Sequence, residues 1–137
     1  MTRSLMLFVA AATLAAVGCA TAKPSDPQMT EKAAAKLAKF DVTGETKRCI
    51  GSNLIRSIDA LDDWHFLVTT TSGDYYLNKV SGRCSGAGSL SNRLQYSTTT
   101  GQLCRHEFIE VVENSSGFSL GSCSLGDFEA LEKKPAE

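Results

Sequence analysis

The chain carries no surplus of charge of either sign. Fourteen basic and fifteen acidic side chains leave a net charge of −1 over 137 residues. No basic field is available to hold nucleic acid, which needs Lys and Arg in excess against phosphate. Long apolar runs are missing too, so no mature segment reaches the roughly 20 residues of a membrane-spanning helix. Histidine is scarce, at two residues, and the five cysteines include no close pair. A structural zinc site wants C-x₂₋₄-C spacing, and a dithiol redox enzyme wants C-x-x-C at a helix start. A glycine-rich phosphate loop and a nucleophile–base constellation are also absent. The composition implies no cofactor and no metal, and it leaves room for one ordinary domain.

What is present begins with an address. Met1 to Ser4 carry one positive charge at Arg3, and Leu5 to Val17 (LMLFVAAATLAAV) then run without a charge. A basic start followed by a short apolar stretch reads as a secretory signal. Residues 1–18 form this leader. Ala16-Val17-Gly18-Cys19 resembles a lipobox, in which Cys19 takes a lipid and becomes the new N-terminus. Ala16 stands where leucine is usual. A rival cut follows Ala20-Thr21-Ala22, an A-x-A site that would release a soluble periplasmic protein. The lipoprotein reading is preferred, with a membrane partner supplied through the N-terminal lipid. Ala20 after the cysteine resembles the sorting pattern for the outer membrane, on its periplasmic face.

Residues 19–47 read as a tether with a lysine-rich helix. Two of the three prolines, Pro24 and Pro27, fall in its first, polar part. Residues 29–40 (MTEKAAAKLAKF) then show helical spacing, with Ser25 or Asp26 as cap and Pro27 at the first helical position. Met29, Ala33, Leu37 and Phe40 fall on one face and Lys32, Lys36 and Lys39 on another. The basic face suits anionic headgroups; the simpler reading is a solvated spacer packed loosely on the domain.

Residues 48–131 shift toward Thr, Ser, Gly and β-branched side chains with frequent turn signals, which calls for strands. Candidate strands are 54–61, 64–71, 75–80, 94–97, 108–113 and 118–123. Asp62-Asp63, Ser72-Gly73-Asp74 and residues 114–117 make turns. The expected fold is mainly β: a small antiparallel sheet or partly open barrel of five to six strands, stapled by disulfides. Residues 132–137 read as a frayed, charged tail.

Cys49, Cys84, Cys104 and Cys123 remain after either cut. In an exported chain they imply two disulfides, and spacing alone permits three connectivities. Cys84 with Cys104 would be the local one. His106 beside Cys104 imitates a Cys–His pair, but neighbours on a strand point to opposite faces. Trp64, Tyr75, Tyr76 and Tyr96 are candidates for a ligand groove, against the simpler reading as half-buried sheet aromatics. Arg48, Arg83 and Arg105 each flank a cysteine and would make an anion patch if the disulfides gathered them.

Cys49-Ile50, the Asp62-Asp63 turn, Gly82-Arg83-Cys84, Gln102-Leu103-Cys104, the Ile109 to Val112 strand and Cys123-x-Leu125-Gly126-x-Phe128 occur here in a set order and spacing. Together they resemble a family of small exported bacterial (Gram-negative) lipoproteins known only as a domain of unknown function. The family usually reads Pro-Gly-Leu after the second of these cysteines, where this chain has Ser85-Gly86-Ala87. The resemblance implies pairing of Cys84 with Cys123, which leaves Cys49 for Cys104. It implies no activity. The functional expectation is a non-enzymatic envelope lipoprotein that binds a partner protein of the envelope or serves a structural role. The alternative is a small periplasmic hydrolase or ligand-binding protein using His106 or His65.

Overall fold

A computed structural model describes residues 29–136. The leader, Cys19, Ala22 and the proposed caps Ser25 and Asp26 lie outside the described residues. The order is α1 (Glu31–Leu37), β1 (Phe40–Lys47), β2 (Cys49–Gly51), a 3₁₀ turn (Ser52–Leu54), β3 (Ile55–Ala60), β4 (His65–Thr70), β5 (Tyr75–Lys79), β6 (Asn92–Gln95), β7 (Gln102–Cys104), β8 (Phe108–Glu113), β9 (Ser119–Ser124) and β10 (Phe128–Lys133). The fold is mainly β, as expected, but its strands divide among three antiparallel sheets, and no barrel closes. The largest sheet runs β1-β10-β5-β4-β3, the second β6-β8-β9, and the third pairs β2 with β7.

Three layers result, and strand parity explains them. In β4, Phe66 and Val68 point inward while Leu67 points to the opposite face; in β5, Tyr76 points inward and Leu77 outward. The inward set meets Leu103 of β7 and Ile109 and Val111 of β8 in the main core. The outward set, with Leu61 and Leu131, is covered by α1 through Ala33, Met29 and Leu37, joined by Phe40. Both faces of the central strands are therefore covered, which is why β4 and β5 are buried or half-buried at every position rather than alternating with exposed ones. The apolar face expected for the helix is the one it buries.

Two boundaries differ from expectation. The helix ends at Leu37, and Phe40 opens a strand, so the last eight residues of the expected tether, 40–47, belong to the sheet. Thr30 caps the helix, its Oγ1 accepting from the Ala33 amide at 3.2 Å. β1 escapes sequence reading because it is an edge strand, exposed along almost all its length and broken in register between Val42 and Thr46. The expected frayed tail is likewise partly strand. β10 sits between β1 and β5, with Phe40 opposite Lys133, and the Lys134 amide donates to Lys39 O.

The disulfides join Cys49 to Cys104 and Cys84 to Cys123. The first links directly opposed residues of β2 and β7. The second ties the loop after β5 to β9, with both residues buried in the main core.

Candidate functional site

The turn between β3 and β4 carries more than a change of direction. Asp62 is 5 % exposed and His65 1 %. Asp62 Oδ1 accepts from the amides of Trp64 and His65, each at 2.8 Å, which makes the compact Asx-type turn that launches β4. Its Oδ2 accepts from the Thr30 amide at 3.1 Å, fastening the helix entry to the sheet. His65 Nδ1 lies 2.9 Å from Oδ1 and 3.1 Å from Oδ2. A carboxylate only accepts, so this nitrogen carries the proton. Burial by itself pushes the Asp62 pKa up. The donors from Trp64, His65 and Thr30 outweigh it and hold the carboxyl below its ordinary value.

Asp63 turns the other way and organises the loop after β5. Its carboxylate meets Arg83 at 3.0 Å and accepts from the Gly88 amide, while its carbonyl accepts from the Cys84 amide. A side chain at Gly88 would meet the Asp62 Cα at 3.1 Å, so glycine allows this loop to lie on the turn. Between loop, turn and helix start an open cleft of about 600 Å³, lined by Leu61, Trp64, Lys32 and Arg83 among others.

The other candidates disperse. Trp64 lines the cleft, but Tyr76 is buried in the core beneath Lys47, whose Nζ donates to its hydroxyl. Tyr75 packs against Phe40 with ring centroids 4.9 Å apart, and Tyr96 packs on the core under β6. These four form no common groove. Arg83 and Arg105 are drawn to separate carboxylates, Asp63 and Asp127. Arg48 and Arg105 are linked by a backbone hydrogen bond beside the first disulfide, so the three arginines do not assemble. His106 is exposed at the tip of the β7–β8 turn, with φ of 69°. Cys104 is oxidised and offers His106 no thiolate. Among the described residues no hydrogen bond or ion pair joins His65 to His106, and the polar partner of the His65 ring is Asp62. The pairing of Asp62 with His65 was hidden in a segment that reads simply as a turn; the Asp-x-x-His spacing at a strand start was its one available signal.

Geometry thus defines a disulfide-stapled, three-layer β domain with an Asp–His clasp beside an open cleft. The family model described as Family of unknown function (DUF6491) matches residues 1–135, and the chain belongs to that family. No curated protein and no solved structure matches it.

Proposed function

We propose that this is an envelope lipoprotein: a small exported domain, anchored through lipid on Cys19, that acts by binding or as a structural module. The observation that carries the reading is the pair of disulfides built into the sheets and the main core. Such staples persist in oxidising compartments and are reduced in a bacterial cytosol. The leader ahead of them supplies the route out. Lipid chains on Cys19 contribute about 0.8 kcal/mol per buried methylene, and two or more give stable anchoring. Nine residues lie between Cys19 and Met29, a reach of about 35 Å over the ten steps at full extension, so the domain works close to the bilayer. The location proposed is the periplasmic face of the outer membrane, with a partner drawn from the envelope.

Mass spectrometry of the unreduced protein from membranes tests this. The expected species begins at a lipid-modified Cys19 and lacks the four thiol hydrogens. An intact chain in the cytosol, with Met1 attached and free thiols, overturns it. A start at Lys23 would place the domain free in the periplasm.

The second reading, a small hydrolase or ligand-binding protein, draws on the Asp62–His65 pair at the cleft wall. An oriented imidazole is two parts of a hydrolytic triad. Among the described residues no hydroxyl is hydrogen-bonded to that ring, so the pair fits a clasp better. Ester hydrolysis that disappears in His65→Gln while the fold is kept would favour this reading instead.

A further inference from the structure

We propose that the outer face of the helix layer is a docking surface for an anionic lipid bilayer. Deepening the anchoring proposed above, it assigns which side of the domain meets the membrane. The chain is nearly neutral, yet its lysines are not evenly spread. Lys32 and Lys36 are exposed on α1 and Lys39 just after it, and Lys133 and Lys134 share a groove with Lys39. Lys32 and Lys36 share a second groove with Arg93 of β6 and with Leu90.

Leu90 is 90 % exposed, on a loop tip beside these cations. An apolar side chain standing free among basic residues suits the boundary between headgroups and acyl chains. The acids beside these lysines are few or already held: Asp59 lies in the Leu90 groove, Glu31 opens the helix, Asp62 and Asp63 line the cleft with Lys32 but are paired with His65 and Arg83, and Asp41 is paired with Lys134, whose Nζ also donates to Ala38 O. Position agrees with charge. Met29 packs in the helix-side cluster, so a tether from Cys19 would join the domain at this layer. The opposite face of α1 is already committed to Leu61, Leu77 and Leu131, which fixes the lysine face outward.

The test uses the full chain reconstituted into vesicles of phosphatidylcholine alone or with phosphatidylglycerol added, followed by lysine acetylation and peptide mass spectrometry. Lys32, Lys36 and Lys39 should react about threefold or more slowly on the anionic vesicles, and molar salt should remove the difference. Lys47, held on Tyr76, should react alike on both. The double variant Lys32→Glu/Lys36→Glu, at exposed positions, should abolish the protection of Lys39. Equal labelling on the two vesicle types overturns the proposal, as does protection that appears only in native membranes, which would mean a protein occupant. The intact mass of the same samples reports lipid on Cys19. Protection without lipid leaves the surface standing and removes the anchor; lipid without protection does the reverse.

Discussion

Asn78 is fully buried in β5, and both ends of its amide are used on one residue, Gly126. Its Nδ2 donates to Gly126 O at 2.8 Å and its Oδ1 accepts from the Gly126 amide at 2.9 Å. A Cβ at Gly126 would stand 2.2 Å from Lys79 O, so the chain passes too close here for any side chain. Asn78→Ala leaves the donor and acceptor of the half-buried Gly126 without their partners. The expected loss is about 2–4 kcal/mol in denaturant unfolding; a loss under 1 kcal/mol would mean that the bracket contributes little. His106 is the opposite case. Its left-handed backbone is strained for a residue with a Cβ, and its side chain is exposed. His106→Gly should be tolerated, with stability unchanged or raised by up to about 1 kcal/mol, as thermal unfolding would report.

Asp62 acts across the residue scale through protons. Its folded pKa lies below the ordinary 3.8. The stability it contributes is complete above that value and is lost as pH falls through the lower, folded one. Acid unfolding of the native protein should therefore be steeper below pH 3.8 than that of Asp62→Asn. Equal slopes would show that the clasp with His65 and Thr30 does not couple to folding.

At the scale of elements the disulfides divide the work. They enclose segments of 55 and 39 residues, and the entropy of loop closure distinguishes these by only about 0.3 kcal/mol. Placement separates them more. Cys84 and Cys123 belong to the main core, whereas Cys49 and Cys104 lie on two short strands and are partly exposed. Cys84→Ala/Cys123→Ala should cost about 3–5 kcal/mol, lost packing included. Cys49→Ala/Cys104→Ala should cost about 2–3 kcal/mol. Paired unfolding curves would check the order. Sequence reading succeeded for β3, β4, β5 and β8, where β-branched or aromatic residues sit between turn signals, and for β9, which follows the turn at residues 114–117. It missed the three-residue β2 and β7, and it missed β1 and β10, where Gly44, Glu45, Glu129 and Glu132 mask the pattern and the partner strand supplies the order.

For the whole molecule, the two staples together contribute on the order of 5 kcal/mol, comparable with the net stability of a small domain. The described protein should lose its near-ultraviolet circular dichroism in reductant at moderate temperature and recover it on reoxidation. Unchanged spectra with free thiols would remove the argument for an oxidising compartment.

The amino-acid order determined the four cysteines of the domain, the turn positions and the apolar stripe of the helix, because each is a local pattern of spacing or backbone freedom. Tertiary structure alone decided that residues 40–47 become a sheet edge, that Asp62 and His65 close on the helix entry, and that Lys133 and Lys134 meet Lys39 in one groove. Those outcomes depend on hydrogen bonds and burial between segments far apart in the chain, such as Thr30 with Asp62 and Phe40 with Lys133, and no local window contains both partners.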